Sequence, residues 1–496
     1  MEGKEIDTKR LLLFLVFMIF FIISYQFIAY LFIPKDKNKK TEDQQTQEKS
    51  TVVKIDIKPQ SIKNKNIDIL KYTFKDFDIY ITPLGGRIYK LVDKKYNVDL
   101  ITEKERNLNL LPLQIATGNG EIDNILNSSE YKVSIKDNTI LMELKRDKIA
   151  LTKILEVEGN FIRLKIESKG VENIYINAGT FPEEPSFYTH HGPVIKLGEE
   201  VIRMDPEDIK DSEIVTGEIK FAGEESRYMF KGFLGSTEHV IVKRFDLENN
   251  PVTFTFVLYK KPIIFYAGAK EYARLRNTEL SEVIDFGKLK LIVKPIFYIL
   301  YWVYEQTGSW IFSIIVLTIL VRIFMFPLGY KSTVAMMKLS KLAPRIEEIR
   351  QKYKKDPVRM QEEMMKLYKE AGFNPASGCL PILLQIPIFF ALYKVLIITV
   401  DLKLESFFWI SSLAEKDPFY ILPILMGGSM ILQQKLNPNP DTKQNIIMYI
   451  SAIVFTFLFA SFPSGLVFYW TLNNLLNIVQ NYIIKKVMFK TDGKKG

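Results

Sequence analysis

An uncharged apolar segment near the amino terminus constrains the fold of this chain more than any other feature. Residues 11–33 form a run of 23 residues without a charged side chain. A helix of that length, at about 1.5 Å per residue, spans a hydrocarbon core about 30 Å thick. We therefore interpret residues 1–33 as a short cytoplasmic stub followed by an uncleaved transmembrane helix, and a wholly soluble protein is excluded.

The segment that follows is polar and leads into a different periodicity. Residues 34–50 hold almost no side chain to bury, which predicts a disordered charged linker. From residue 51 to residue 285, apolar side chains alternate along short runs, as at Ile140, Met142 and Leu144. A period of two is typical of strands with one buried face. The sequence thus predicts a large all-β domain, an antiparallel sandwich, over residues 51–285.

Long apolar segments return in the second half of the chain. Residues 286–307 are apolar and aromatic but are interrupted by lysines and a proline, which favours an interfacial amphipathic helix over a span. The second transmembrane helix is predicted within residues 308–330, at 309–328. The third to sixth lie within residues 379–484, at 380–400, 418–433, 446–462 and 465–484. Together with the first helix, these segments predict a polytopic membrane core of six helices.

The distribution of basic side chains predicts the orientation. Residues 331–378 carry eleven Lys or Arg side chains, and the tail at residues 485–496 is rich in lysine. Such segments stay on the cytoplasmic side, whereas residues 401–417 carry four acidic side chains against two lysines. We therefore predict that both termini are cytoplasmic and that the β domain lies outside.

A charged residue inside the second predicted span is the strongest functional signal. Arg322 lies about 13 Å inside the interface marked by Lys331, at about 1.5 Å per residue. An arginine at that depth snorkels, pairs with another group or lines a water-accessible cavity. No acidic residue lies in another predicted span. A structural arginine and a functional charge in a wet cavity both remain open, and Thr318, one turn earlier, could line the same cavity.

Uncharged polar side chains in other spans extend this signal. Asn473, Asn477 and Gln480 fall within about 60° of one another on a helix. Gln385 and Gln433 occupy two further spans. Each residue alone fits the packing of transmembrane helices through hydrogen bonds. Their presence together with an intramembrane arginine favours a hydrated groove.

The cytoplasmic segment at residues 331–378 predicts a basic helical hairpin. Apolar residues recur there at intervals of three and four, and Asp356-Pro357 suits the start of the second helix. Its basic faces and the tail could bind anionic lipid or ribosomal RNA. The candidate partner-binding residues are Lys338, Lys341, Arg345, Lys352, Lys354, Lys355, Arg359, Lys485 and Lys486.

Catalytic and metal-dependent functions find no support in the sequence. The chain has one cysteine and three histidines, too few for a disulfide framework or a site with several cysteine ligands. It contains no nucleotide-binding or hydrolase motif. We therefore expect no enzymatic activity, no metal, no cofactor and no DNA partner.

Several segments of the helical half resemble one family, that of the bacterial membrane protein insertase YidC and its mitochondrial and chloroplast relatives. They are GSWIFSIIVLTILVRIFMFPL, NPASGCLP followed by LLQIPIFFALY, FPSGLVFYWTLNNLLNIVQ and the basic hairpin between the first two. The resemblance covers about residues 288–486. The anchor helix and β domain further resemble the Gram-negative-type members, which implies an inner-membrane protein with a periplasmic β-supersandwich.

This resemblance implies a function and a site. Family members insert, fold and help to assemble integral membrane proteins, independently of or together with the Sec translocon. Five of the six helices would form a hydrophilic groove, open to the cytoplasm and to lipid, with Arg322 as its positive charge. Thr318, Tyr469 and Trp470 match positions that contact the nascent membrane protein. The hairpin and tail would receive the ribosome, the signal recognition particle receptor or the Sec translocon.

Two other classes of function remain open at this point. A solute or anion transporter or channel could use Arg322 as an anion site. An envelope carbohydrate-binding protein is suggested only by the similarity of the implied β-supersandwich to sugar-mutarotase folds. Neither class requires a basic cytoplasmic hairpin.

Overall fold

The computed structural model describes residue 55 and residues 68–180, 189–247, 250–370, 380–437 and 442–492. The chain divides into two compact units, Met1–Lys288 and Leu289–Gly496, called here the β unit and the helical unit. The transmembrane helix predicted at residues 11–33 and the linker predicted at residues 34–50 lie outside the described residues.

The described part of the β unit is built mainly from short strands. They are β1 Leu70–Thr73, β2 Phe77–Thr82, β3 Arg87–Asp93, β4 Val98–Asp99, β5 Ile115–Ala116, β6 Lys132–Lys136, β7 Thr139–Arg146, β8 Ile149–Glu158, β9 Phe161–Lys169, β10 Tyr175–Asn177, β11 Gly192–Leu197, β12 Glu200–Arg203, β13 Ser212–Glu225, β14 Met229–Leu247, β15 Asn250–Leu258 and β16 Ile263–Ala269. A large β-rich domain is therefore confirmed.

Short helices make the β unit less uniform than the predicted all-β domain. They are α1 Glu103–Leu108, α2 Gly120–Ser128, α3 Tyr272–Leu275 and a 3-10 turn at Glu279–Val283. The start of α1 is fixed by a reciprocal pair of hydrogen bonds, because the Thr102 hydroxyl accepts from Glu105 N and the Glu105 carboxylate accepts from Thr102 N. This capping box lies in the sequence but is easily overlooked between strands.

The described strands form two antiparallel sheets. The smaller has the order β1-β2-β3-β4, and the larger, of 12 strands, follows β12-β11-β13-β14-β16-β9-β8-β7-β6, with β10, β15 and β5 joined beside this path. β13 and β14 are long partners with shifts in their register. Such bulges bend a strand and let one pair extend through a twisted sheet. The predicted sandwich arrangement of the sheets stays a prediction.

The alternating pattern identified the core faces of several strands. Ile140, Met142 and Leu144 of β7 are all buried, as predicted. Strand β15 differs, because it is buried on both faces from Val252 to Leu258. Its inward polar residues, Thr253 and Thr255, therefore need internal partners.

The helical unit contains eight described α-helices. They are α4 Lys290–Thr307, α5 Trp310–Lys341, α6 Ala343–Lys352, α7 Pro357–Glu370, α8 Leu380–Ile398, α9 Ile421–Leu436, α10 Thr442–Phe459 and α11 Ser464–Asp492. Helix α4 corresponds to the predicted interfacial helix. Within the described residues, only Trp310–Lys341 is both long and apolar enough to cross a membrane, while Leu384–Ile398 and Asn445–Phe459 are shorter apolar helices. Six transmembrane helices stay a prediction.

Two helices continue past the ends predicted for their spans. Helix α5 does not stop near residue 330 but runs to Lys341, and α11 continues beyond residue 484 to Asp492. Charged residues mark the edge of an apolar segment, but they do not break a helix. Helix α5 ends at Lys341, and Pro344 lies in the first turn of α6, where it has no N–H group to continue the hydrogen bonds of α5. The first eleven residues assigned to the hairpin therefore belong to α5.

The hairpin itself has the predicted turn and the predicted apolar face. Helix α6 ends at Lys352 and α7 begins at Pro357, where the Asp356 carboxylate accepts a hydrogen bond of 3.1 Å from Arg359 N. A small apolar core holds α6 and α7 against the end of α5. It consists of the buried residues Leu339, Ile346 and Leu367 with Met336, Leu342, Ile349, Met364 and Tyr368 packed around them.

Candidate functional site

The guanidinium of Arg322 bridges α5 to α11. Its Nη1 donates a hydrogen bond of 3.3 Å to Asn477 Oδ1, and its Nη2 donates to the carbonyl oxygen of Asn473. Both partners are neutral. Within the described residues no carboxylate pairs with Arg322, so its positive charge is hydrogen-bonded without being neutralised.

Polar contacts continue along the same line between α5 and α11. A Cβ atom at Gly329 would lie 2.6 Å from Gln480 Nε2, so glycine lets the glutamine side chain pass close to the α5 backbone. One turn further, Thr333 Oγ1 donates a hydrogen bond of 2.7 Å to Asn481 Oδ1. We name these contacts, from Arg322 to Thr333, the polar seam.

The sequence contained a signal for most of the polar seam. Asn473, Asn477 and Asn481 are separated by four residues each, which places them on one side of α11. Asn481 was missed because it follows Gln480, which satisfied the same pattern. The structure brings Arg322, Asn473 and Asn477 into direct contact.

Thr318 is not part of this contact. Its side chain is fully buried, and its hydroxyl donates a hydrogen bond of 2.6 Å to the carbonyl oxygen of Ile314 in its own helix. This local bond is common for threonine in helices, since the hydroxyl can reach the carbonyl one turn back.

Tyr469 and Trp470 contact different neighbours, because successive residues of a helix point about 100° apart. Tyr469 is fully buried, and Gln385 Nε2 of α8 donates a hydrogen bond to its hydroxyl oxygen. The Trp470 ring meets Phe389 of α8 edge-on, at 5.3 Å between centroids, and lies 5.5 Å from Phe459 of α10. Tyr469 thus joins the polar contacts, and Trp470 joins an aromatic cluster.

A glutamine next to the predicted one makes the buried contact on α9. Gln433 is only partly buried, whereas Gln434 is 8% exposed and its Nε2 donates a hydrogen bond of 2.6 Å to Asn445 Oδ1 on α10. Nothing in the periodicity separates these two adjacent residues. Asn474 was missed in the same way, and its Nδ2 donates a hydrogen bond of 3.0 Å to Ser429 Oγ on α9.

The loop between α8 and α9 caps three helices of the unit. The Glu405 carboxylate accepts hydrogen bonds of 3.1 Å from Trp310 N and 3.0 Å from Ser309 Oγ at the start of α5. Buried Asp417 accepts one of 2.7 Å from Leu422 N at the start of α9. The carbonyl oxygen of Glu415 accepts from Ser464 at the start of α11. Carboxylates suit helix amino termini, where the helix dipole is positive.

The basic residues predicted to bind partners lie mostly at the surface. Lys485 differs from the other basic residues, because its Nζ donates a hydrogen bond of 2.7 Å to the carbonyl oxygen of Leu436 at the end of α9. That contact helps to end α9. The exposed residues are Lys338, Lys341, Arg345, Lys352, Lys354, Lys355, Arg359 and Lys486.

Comparison with known proteins decides the family. Residues 291–492 match a family model described as "60Kd inner membrane protein". The membrane protein insertase YidC of Aquifex aeolicus is 48% identical over 511 residues, which cover 100% of this chain and 99% of that protein. The chain belongs to the YidC membrane protein insertase family. The family resemblance predicted from the sequence is confirmed.

A second relative agrees with this membership. The membrane protein insertase YidC of Campylobacter jejuni is 34% identical over 526 residues, covering 99% of this chain and 98% of that protein. A crystal structure of an active YidC insertase with its first transmembrane domain resolved has a TM-score of 0.44 and 17% identity, over 85% of this chain and 94% of that chain. Membership of an insertase family does not favour a transporter or channel.

Proposed function

We propose that this protein inserts nascent membrane proteins into the inner membrane and helps them to fold and assemble, independently of or together with the Sec translocon. The activity named for its full-length relatives supports this proposal. The observation that carries the mechanism is the contact of Arg322 with two neutral oxygen atoms, which leaves its positive charge available to a substrate.

The available charge has a physical role during insertion. An acidic side chain in the translocated segment is attracted to Arg322, and the attraction is stronger where the surrounding dielectric constant is low. The contact is transient, since the same segment must leave again. Apolar segments of the substrate then enter lipid, driven by their own transfer from water.

We propose that the polar seam forms one wall of a hydrophilic groove open to the cytoplasm and to lipid. Side chains that hydrogen-bond across helices at this depth let water and polar peptide enter, and so shorten the apolar distance to be crossed. The proposed lining residues are Arg322, Thr318, Gln385, Gln433, Tyr469, Trp470, Asn473, Asn477 and Gln480. Among these, the contacts of Arg322, Asn473 and Asn477 give the strongest support.

The exposed basic residues at the end of α5, of the hairpin and of α11 are proposed to receive cytoplasmic partners. A positive surface attracts ribosomal RNA and anionic lipid headgroups through the same Coulombic forces. The ribosome, the signal recognition particle receptor and the Sec translocon are the proposed protein-synthesis and translocation partners. No catalytic step and no cofactor are part of the proposal.

Charge substitutions at position 322 test the electrostatic step. Full-length Arg322→Ala and Arg322→Lys proteins are reconstituted in proteoliposomes with a single-span substrate carrying one Asp in its translocated tail. We expect Arg322→Ala to insert this substrate at least about tenfold more slowly and Arg322→Lys to retain most of the rate, because a charge contact is worth about 1.5–3 kcal/mol. Lys331→Ala, an exposed charge removed from the same helix, is the matched control.

Three outcomes would contradict the mechanism. Equal insertion by the Ala and Lys variants would remove the electrostatic step. A second experiment asks from which side of the membrane the groove is open. A cysteine is placed at position 322 in a Cys379→Ser background and is labelled with a membrane-impermeant thiol reagent. We expect labelling from the cytoplasmic side only, whereas labelling from both sides would indicate a channel and no labelling a buried structural charge.

A further inference from the structure

Two buried polar atoms at Arg322 have no hydrogen-bond partner among the described residues. One is Arg322 Nε, a donor, and the other is Asn473 Oδ1, an acceptor. The Asn473 side chain is 6% exposed. They belong to residues already joined by the bond from Arg322 Nη2 to the Asn473 carbonyl oxygen, so this donor and this acceptor both belong to the polar seam.

Leaving such atoms unsatisfied is costly. A buried donor or acceptor without a partner costs about 1–3 kcal/mol. Most buried polar atoms in native proteins are paired, so each exception requires an explanation, and a group that binds there is one. The group that would satisfy both atoms must accept a hydrogen bond from Nε and donate one to Oδ1.

We propose that Arg322 Nε and Asn473 Oδ1 together bind the peptide backbone of an extended segment of the substrate. This inference rests on the proposed insertase function and specifies what the site recognises besides charge. In an extended chain, the N–H and C=O groups of one residue point to the same side. One residue therefore presents both the acceptor that Arg322 Nε lacks and the donor that Asn473 Oδ1 lacks.

Backbone recognition answers a physical difficulty of insertion. A helix satisfies its own backbone groups, whereas an extended segment crossing an apolar region carries N–H and C=O groups that cost several kcal/mol each when unsatisfied. A donor and acceptor fixed on α5 and α11 would satisfy one residue at a time. Because every residue has the same backbone, this contact accepts tails of any sequence.

Two alternative ligands would give experimental results different from those expected for backbone binding. An Asn or Gln side chain of the substrate also offers a donor and an acceptor together. A rotation of the Asn473 amide by about 180° would instead present two donors, an arrangement that suits a carboxylate. Backbone binding predicts an effect that is independent of the tail sequence, whereas each alternative predicts an effect confined to one kind of tail.

The test compares Asn473→Leu with Asn474→Leu in the full-length protein. Leucine has a similar shape but no amide, and the control removes the neighbouring amide, which contacts Ser429 on α9 instead. Both variants are reconstituted in vesicles of phosphatidylethanolamine and phosphatidylglycerol. The substrates are single-span proteins whose tails contain only Gly, Ser and Thr, or the same tail with one Asp, or with two Gln. Initial insertion rates are measured by protease protection.

We expect Asn473→Leu to insert all three substrates about three- to tenfold more slowly, the effect of losing one hydrogen bond at a buried site. Asn474→Leu should insert them at rates close to the unsubstituted protein. Replacing one tail amide by an ester, which lacks the N–H group, should slow insertion by the unsubstituted protein but not by Asn473→Leu. A merely structural role of Asn473 would leave the ester effect unchanged.

The remaining outcomes overturn the proposal. A loss confined to the Gln tail would assign the pair to side-chain amides, and a loss confined to the Asp tail would assign it to a carboxylate. Equal insertion rates for Asn473→Leu and the unsubstituted protein would mean that Arg322 Nε and Asn473 Oδ1 bind only solvent. If Asn473→Leu does not accumulate in membranes, Asn473→Ser takes its place. Failure of the unsubstituted protein to insert any substrate would instead contradict the proposed function itself.

Discussion

The Glu224 side chain of the β unit is a carboxyl group enclosed by protein. Thr253 and Thr255 of the doubly buried strand β15 donate hydrogen bonds of 2.8 and 2.7 Å to its oxygen atoms. Burial raises its pKa from an ordinary value of 4.5 to about 8, and the two threonine hydroxyls oppose this rise only in part. Glu224 is therefore mostly protonated at neutral pH in the folded protein.

Because of this raised pKa, we predict that the free energy of unfolding decreases as the pH rises. Between about pH 4.5 and pH 8 the unfolded chain has released the Glu224 proton while the folded chain retains it, so stability falls as pH rises and is constant again above pH 8. Glu224→Gln should remove this part of the pH dependence. The thermal midpoint of the full-length protein in detergent, measured from pH 5 to pH 9, checks the prediction.

The control for Glu224 lies on the same strand. Glu213 of β13 is exposed, so Glu213→Gln removes a carboxyl group without removing a buried one. It should leave the pH profile of the thermal midpoint unchanged. A Glu224→Gln profile parallel to that of the unsubstituted protein would contradict the assignment.

The start of α5 provides a prediction at the scale of an element. Glu405 accepts hydrogen bonds from Trp310 N and Ser309 Oγ, so the Glu405→Ala change removes the acceptor of Trp310 N and leaves Ser309 Oγ as the cap of the first turn. We expect a local loss of about 1 kcal/mol, seen as faster hydrogen–deuterium exchange over the first turn of α5. Glu415→Ala is the control, because the Glu415 side chain is exposed and only its backbone carbonyl is used. Equal exchange in the two variants would contradict the role of Glu405.

Adjacent glycines on α9 give a second prediction for an element. A Cβ atom at Gly427 would lie 1.9 Å from Thr456 Oγ1 on α10, whereas one at Gly428 would meet nothing within 4 Å. Gly427→Ala should therefore separate α9 from α10 and destabilise the protein by about 1–3 kcal/mol. Gly428→Ala should be neutral or stabilise by up to about 1 kcal/mol, the difference in helix propensity. Thermal midpoints in detergent distinguish the two, and similar values for both would show that the helices are not in close contact.

Helix positions could be predicted from the sequence better than helix ends and side-chain directions. The positions of α8 to α11 could be predicted, because a helix that is buried or in contact with lipid requires an apolar segment. The hairpin turn could be predicted from Asp356-Pro357. The ends of α5 and α11 could not be predicted from hydropathy, since charged residues end an apolar segment without ending the helix. Gln434 rather than Gln433 is buried because rotation of α9 is set by its neighbours. The hydroxyl of Thr318 bonds within its own helix, because it can reach the carbonyl oxygen one turn back.

Acidic and basic side chains of the helical unit lie near opposite ends of α5. The capping loop, with Glu405 and Asp417, lies at the amino-terminal end of α5, and the basic hairpin follows its carboxyl-terminal end. Helix α5 has 32 residues, so these ends are about 48 Å apart. That distance exceeds the thickness of a hydrocarbon core, about 30 Å. The capping loop and the hairpin can therefore face opposite aqueous compartments, and the basic end should be cytoplasmic.

This orientation is the prediction for the whole molecule. Single cysteines replace two exposed residues in a Cys379→Ser background, Ser411→Cys in the capping loop and Gln361→Cys on α7. In intact spheroplasts a membrane-impermeant thiol reagent should label Ser411→Cys only, and in inverted vesicles it should label Gln361→Cys only. Detergent should make both accessible, which controls for local protection. Because both positions belong to one compact unit, labelling of both from the same side would mean that α5 does not cross the membrane, and a reversed pattern would place the basic hairpin outside.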